Sequence, residues 1–198
     1  MRKLLTVVSL LLMAAGAVLL FQGARVYLES KMGQTEASRQ FEDEGPAAHP
    51  AARSRLPRLR PQEGEAFAKL SIPRLDTELY VVEGDDSADL LRGPGHLPGT
   101  AMPGDDGNCV IAAHRDTHFR VLKDIHKGDD IIVQTSRGQF LYRVAGTQIV
   151  QPSNTSALEP THDAELKLIT CYPFYYVGSA PKRFVVKAQL AGAVTGPS

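Results

Sequence analysis

The sequence predicts an all-β fold, a sandwich or a barrel, preceded by an apolar N-terminal helix. An uncharged apolar run stands near the N-terminus, at residues 4–21, and a segment rich in proline and arginine follows it. From about residue 65 onward, short apolar runs are divided by Gly, Pro and Asp, as is typical of all-β domains. The 198 residues suffice for one domain of ordinary size with an appendage.

The apolar run at residues 4–21 is close to the minimum length for crossing a membrane as a helix. Arg2 and Lys3 precede it, so the positive-inside rule places the N-terminus in the cytoplasm. A cleaved signal peptide is the alternative, but the run is longer than the usual apolar region of such a peptide. We therefore predict a single-pass cell-membrane protein with an extracytoplasmic globular domain, in which residues 1–23 are the cytoplasmic tip and anchor.

Residues 24–64 are predicted to form a stalk and a linker. Residues 24–44 are polar with scattered apolar positions, which is compatible with a short helix that lacks a sustained apolar face. Residues 45–62 combine prolines with arginines, a composition that favours an extended, solvated linker. The arginines could contact an anionic surface, and a soluble spacer is the alternative.

Residues 65–191 are predicted to form the globular domain, and 192–198 a tail. Between residues 116 and 124, Phe119 and Leu122 stand at helical spacing, which predicts a short helix. Seven candidate strands are expected, at 67–72, 78–82, 108–113, 130–135, 139–150, 165–170 and 183–190.

Charge and composition exclude several classes of function. The 22 basic and 22 acidic residues give a net charge of +0, so no overall field attracts nucleic acid, and we predict no nucleic-acid partner. Two cysteines, Cys109 and Cys171, are too few for a disulfide scaffold. The histidines lack metal-ligand spacing, and Asp105, Asp106, Asp129 and Asp130 fall in ordinary turns, so no metal and no cofactor is predicted.

Strand alternation places three reactive side chains on faces that need not be core. Cys171 alternates with Leu168 and Leu166, and His114 lies on the face opposite Cys109. Arg183 alternates with an apolar stripe that begins at Phe184. A thiol, an imidazole and a guanidinium are sufficient for acyl transfer. Taken alone, a strand Cys is more often a buried small apolar residue, a His more often structural, and an Arg usually a solvated strand residue.

Three segments resemble those of one family, the sortases. LITCYPF around Cys171 resembles their Thr-Leu-x-Thr-Cys motif, IAAHRDTHF around His114 is similar to their histidine segment, and PKRFVVKA resembles their arginine strand. The resemblance covers roughly residues 67–190, and Lys167 departs from it by replacing the first Thr of the motif. It implies a closed eight-stranded β-barrel with short helices, of the wall-anchoring type. Cys-Tyr-Pro at 171–173 favours class D.

The resemblance also implies a cysteine transpeptidase. Cys171 would form a thioester with an LPXTG-like C-terminal signal of secreted proteins, His114 would transfer protons, and Arg183 would bind the oxyanion or the backbone of the signal. The acyl group would pass to an amine of the cell envelope. A hydrolytic cysteine peptidase and a catalytically inactive anchored binding module are the alternatives.

Two further expectations concern substrate binding. Thr170, next to the nucleophile, is expected to help position the substrate or Arg183. The segment 147–164 joins two strands beside Cys171 and is expected to line the specificity pocket, because loops can vary without disturbing the scaffold. Its apolar surface would come from Val150, Pro152, Ala157 and Leu158.

Overall fold

The barrel is closed and has eight strands, as the family resemblance predicted. The computed structural model describes residues 2–44, 60–176 and 178–194. Around the barrel the order is β1-β2-β3-β4-β7-β8-β6-β5. The strands are β1 Ala66–Ile72, β2 Thr77–Glu83, β3 Gly95–His96, β4 Asn108–Ala112, β5 Asp130–Thr135, β6 Gly138–Val150, β7 Glu165–Tyr172 and β8 Lys182–Val194.

Two elements are absent from the sequence prediction. β3 has only two residues, too few to show an apolar alternation, and it pairs with β2 and β4 to close the barrel. Helix α2, Ser87–Arg92, has six residues and is capped by the Asp86 side chain, which accepts from two backbone amides. The helix expected over 116–124 is a 3₁₀ segment, His118–Asp124.

One side of every strand fills the interior. Alternate residues of β1 are fully buried, and β7 contributes Leu166 and Leu168 to the same core. Burying an aliphatic or aromatic side chain of this size contributes about 1.5–3 kcal/mol. The largest core side chains are Tyr142, Phe119, Leu70, Ile72, Ile111, Leu122 and Ile131.

The N-terminal helix α1, Arg2–Glu44, contains the apolar run and extends beyond it to pack against the barrel. Ala37 and Phe41 are buried, Ala37 in a small cluster with Ala66 and Val82 and Phe41 with its ring 5.8 Å from that of Tyr80. The stalk predicted for residues 24–44 is therefore the second half of α1, and part of it contacts the barrel. The predicted linker falls mostly at 45–59 and the tail mostly at 195–198, outside the described residues.

Gln34 fixes α1 to the barrel through backbone groups. Its amide oxygen accepts from Tyr80 N at 2.8 Å, while its nitrogen donates to Tyr80 O at 3.0 Å and to Arg92 O at 2.8 Å. Gly33 allows this approach, because a Cβ there would lie 2.6 Å from Arg92 Cα. Thus α1 is held against both β2 and α2.

Candidate active site

Three neighbouring strands bring His114, Cys171 and Arg183 into one row. β4 runs parallel to β7 with Ala112 opposite Ile169, and Ala113 N donates to Ile169 O at 3.1 Å, so the chain carries His114 to the level of Cys171. On the other side β8 is antiparallel to β7, and Arg183 is the Cα partner of Cys171. Residues paired in this way have Cα atoms about 4.5–5.5 Å apart.

Strand alternation turns this row away from the core. Leu166 and Leu168 are buried inside, so Cys171, at odd parity on β7, lies on the outer face and is half-buried. Arg183 is half-buried by the same alternation on β8, and His114 is exposed. Cys109 instead lies in the core, where burial raises the pKa of its thiol strongly. The two cysteines are free and face opposite sides of the sheet.

Thr170 supports the histidine segment from inside the barrel. It is 2% exposed, and its hydroxyl donates to Ala113 O at 2.7 Å, immediately before His114. Thr170 therefore lies on the face opposite Cys171 and contacts the β4 end, rather than the substrate or Arg183 as expected from the sequence.

Arg115 ties the segment after His114 to the loop after Cys171. Its guanidinium is buried and donates to Pro173 O at 3.1 Å, to Tyr176 O at 2.8 Å and to Gly178 O at 3.1 Å. From the sequence, Arg115 is only a cation next to His114. Its position next to His114 is the one feature of the sequence that could have indicated a role. The sequence does not predict where the loop with its carbonyl acceptors lies.

Arg183 has few partners of its own. Its Nη1 donates to Lys182 O at 3.1 Å and to Ala180 O at 3.4 Å. Among the described residues no carboxylate pairs with it, so the rest of its planar donor set is free for an acceptor beside Cys171. Beneath this end of the sheet, Phe184 packs with Tyr172 and Phe174, at ring distances of 6.2 Å and 5.2 Å.

A groove of about 330 Å³ lies on the outer face of β6, β7 and β8. Of the residues predicted to bind the substrate, Val150 and Ala157 line it, whereas Pro152 and Leu158 do not belong to its lining and are exposed. The floor includes Lys167, Val185 and Lys187.

The lysines of this groove share one carboxylate. Glu165 lies 3.0 Å from Lys187 Nζ and 3.8 Å from Lys167 Nζ. Burial lowers the pKa of Lys167, and the Glu165 charge opposes that shift. The residue that departs from the family motif is thus part of the groove floor.

The loop after β6 crosses this outer face and is held there by Asn108. The Asn108 side-chain nitrogen donates to Ala157 O and to Glu159 O, both at 2.9 Å. Val150 is the β6 partner of Arg183, so the loop leaves the barrel beside the reactive row, which is His114, Cys171 and Arg183. The loop returns at the start of β7, the end of that strand away from Cys171. The groove therefore lies under the loop, and its lining residue Val150 is paired with Arg183.

Several of the histidines and turn acids considered as metal ligands have other partners. His96 Nδ1 lies 2.6 Å from Glu83 Oε2, and His118 Nε2 lies 3.1 Å from Ser30 Oγ. Three of the turn acids form ion pairs with arginines, in the pairs Asp105–Arg137, Asp129–Arg74 and Asp130–Arg143.

Comparison with known proteins shows the family and the fold of this chain. The model of the Sortase domain family matches residues 70–191. Sortase D of Bacillus subtilis is 42% identical over 129 residues, or 65% of this chain and 65% of that protein. Sortase SrtE1 of Streptomyces coelicolor is 39% identical over 110 residues, or 50% of this chain and 31% of that protein. The matches thus span less than two thirds of these relatives.

Solved structures show the same fold. A Clostridium perfringens Sortase D5 transpeptidase superposes with a TM-score of 0.65 and 26% identity, covering 83% of this chain and 99% of that one. The catalytic domain of SrtD from B. anthracis gives 0.59 and 30%, covering 71% and 97%.

Proposed function

This chain belongs to the sortase family, and on that premise we propose that it is a cysteine transpeptidase with Cys171 as nucleophile. The observation that carries the proposal is the register that aligns His114, Cys171 and Arg183 across β4, β7 and β8. An outward thiol lies between an exposed imidazole and a guanidinium that has no carboxylate partner among the described residues, and this arrangement suits acyl transfer.

The proposed reaction has two balanced steps. The Cys171 thiolate attacks the Thr carbonyl of an LPXTG-like signal, and the C–N bond breaks as His114 gives its proton to the leaving amine. The acyl group remains as a thioester on Cys171. An envelope amine then attacks the thioester, His114 takes the proton of that amine, and the Cys171 thiolate leaves.

Arg183 would supply the positive charge during both steps. A tetrahedral oxyanion forms each time the carbonyl is attacked, and a pre-placed donor stabilises it without reorganisation. Arg183 stands beside Cys171 with donors available, which supports this role or binding of the signal's backbone.

The groove under the 151–164 loop would hold the Leu-Pro part of the signal. Val150 and Ala157 offer apolar surface there, and Val150 is paired with Arg183. We further propose that α1 anchors the protein in the cell membrane with the N-terminus in the cytoplasm. Its apolar half is long enough to cross a bilayer, by length and composition. Secreted proteins bearing the signal would be the substrates.

We expect Cys171→Ala to lower transpeptidation at least about 1,000-fold with little change in thermal stability, because the thiol is the reagent and lies outside the core. The measurement is turnover of a fluorogenic LPXTG-type peptide with an added amine. Cys109→Ala is the matched control: it removes a buried thiol, so it should lower the free energy of unfolding by about 1–2 kcal/mol and keep activity per folded molecule. Activity retained in Cys171→Ala would disprove the assignment.

The same assay separates the alternatives. A transpeptidase forms the amine adduct in preference to the free acid, whereas a hydrolytic peptidase forms the acid whether or not an amine is present, as mass spectrometry would show. A catalytically inactive binding module would form neither product, and a thiol-reactive signal peptide would leave Cys171 unlabelled.

A further inference from the structure

Three carboxylates meet where the chain enters the barrel, away from the reactive row. Glu63 precedes β1, while Asp86 and Asp89 belong to the turn before α2 and to its first turn. Each of the three offers an oxygen, and these oxygens lie within 4.8 Å of one another.

Asp89 is the unusual member of this cluster. It is 6% exposed, and its Oδ2 has no hydrogen-bond partner among the residues that the structure describes. A buried carboxylate oxygen without a partner carries a desolvation cost, which the charge of Arg92 and the Asp86 hydrogen bond offset only in part. The structure therefore leaves a buried acceptor that a cation would satisfy.

The surrounding backbone gives this oxygen its space. Gly84 has a positive φ of 109°, and a Cβ at Gly84 would lie 2.1 Å from Asp89 Oδ2 and 3.4 Å from the Glu63 Cγ. Any larger residue would separate the two carboxylates. Asp86 Oδ1 is used by the amides of Ala88 and Asp89, which leaves its second oxygen for a ligand.

Within the described part of the chain, the charge of Arg92 lowers the pKa of Asp89 but is outweighed by burial and the neighbouring acids. Among the described residues 2–44, 60–176 and 178–194, none of the three carboxylates takes part in an ion pair. Arg92 is near, but its guanidinium donates to Gly64 O and to Gln40 Oε1. Burial raises the pKa of Asp89, and the charges of Asp86 and Glu63 raise it further.

We propose that Glu63, Asp86 and Asp89 bind a hard divalent cation, with calcium preferred. Carboxylate oxygens are the ligands of such ions, and calcium accepts irregular sets of six to eight oxygens that include water. The ion would join the segment before β1 to α2, the helix against which α1 is docked through Gln34. Its role would be structural and independent of the reaction at Cys171.

The test is the thermal unfolding of the full-length chain in detergent, after chelator treatment, with added calcium. We expect the melting temperature to rise saturably, by about 5–10 °C at about 100 times the dissociation constant. Magnesium should give a smaller rise, because it requires octahedral geometry and loses water reluctantly. Calorimetric titration should show the same binding directly.

Asp89→Asn keeps the shape but removes the charge, and it should abolish both the rise and the heat of binding. Asp106→Asn, at an exposed turn acid outside the cluster, should keep both. The proposal is overturned if calcium gives neither rise nor heat up to about 10 mM. It is also overturned if the response persists in Asp89→Asn or is lost in Asp106→Asn instead.

Discussion

At the scale of single residues, Arg115 connects the segment after β4 to the loop after β7. A buried guanidinium is costly unless its donors are satisfied, and Arg115 meets this condition with three carbonyls of one loop. The same side chain lies 5.8 Å from the Tyr176 ring and 3.3 Å from an Asp116 oxygen. Arg115 is therefore a positioning residue for the loop that follows Cys171.

We expect Arg115→Ala to lower kcat/KM about 10- to 100-fold, because a loop without its three anchors misplaces the end of β7. Arg115→Lys should recover little, since an ammonium cannot reproduce the planar fork. Peptide kinetics and the rate of proteolysis within residues 173–181 are the two measurements.

Arg120→Ala is the control for this experiment. Arg120 is exposed and stacks over the exposed ring of Tyr175 at 5.6 Å. The substitution removes a cation that contacts the same loop without removing a carbonyl contact, so activity should stay within about threefold of the unmodified protein. Equal kinetics for Arg115→Ala and the parent would show that the loop needs no such anchor.

Strand alternation makes much of the site predictable from the sequence alone. Cys171 is three residues from the core residue Leu168, so the two side chains point to opposite faces of β7. This alternation depends only on local strand geometry. The partner of Thr170 does not follow, because Ala113 O reaches it only through the pairing of β4 with β7.

At the scale of elements, Asn108 determines how the 151–164 loop covers the groove. One amide nitrogen holds two loop carbonyls, those of Ala157 and Glu159. We expect Asn108→Ala to raise KM for the peptide about 10-fold while kcat changes little, because the loop loses its preorganised position over the substrate.

The control is alkylation of Cys171 by a small thiol reagent, whose rate should not change in Asn108→Ala. A fall in kcat with constant KM would instead place the loop's role in the chemical step. The sequence does not single out Asn108, because an Asn at the start of a strand is usually a turn residue.

The contact of α1 with the 3₁₀ segment has a pH dependence. His118 faces Ser30, and burial lowers its pKa to about 4, with the nearby positive charges of His114 and Lys31 acting in the same direction. In the unfolded chain His118 takes up a proton near pH 6.5. Its contribution to stability is therefore present above about pH 6.5 and decreases as the pH falls toward 4.

We expect the folded state to lose about 2 kcal/mol through His118 between pH 7 and pH 5. His118→Gln, which cannot be protonated, should show a flatter dependence of unfolding free energy on pH. His162→Gln, at an exposed loop histidine, should match the parent curve. Parallel curves for His118→Gln and the parent would contradict the buried neutral imidazole.

Element prediction succeeds where strands are long and fails where tertiary contacts define the element. β6 and β8 show clear alternation over many residues. The half of α1 that contacts the barrel shows no comparable apolar pattern. Gln34 binds the barrel through its polar amide, and Gly33 allows close contact because it has no side chain. Neither contributes to an apolar face.

At the scale of the whole molecule, α1 joins the apolar segment to the barrel without a break. The apolar run ends near residue 21, and the first barrel contact is at Ser30. Nine helical residues span about 14 Å, so the reactive row would stand at a fixed height above the bilayer.

We expect a seven-residue helical insert after Ala24 to lower transfer from a membrane-anchored signal about 10-fold in vesicles, because it raises the barrel by about 10 Å with little rotation. Turnover of a soluble peptide should be unchanged. The same insert within residues 45–59 is the control, since the contacts of Gln34 and Phe41 bypass that segment. Equal activity of both variants on the anchored signal would show that height is irrelevant.

For the membrane-anchored transpeptidase proposed above, the docking of α1 would also change the dimension in which it finds its substrate. An enzyme and a signal held in one bilayer search for each other laterally, and their encounter depends on effective concentration within a thin layer rather than in bulk solution. Because Gln34 and Gly33 fix the barrel on its helix, much of its rotational entropy is lost before any encounter. Weak binding of the signal by the groove would then be enough, because confinement to one bilayer raises the effective concentration of the signal.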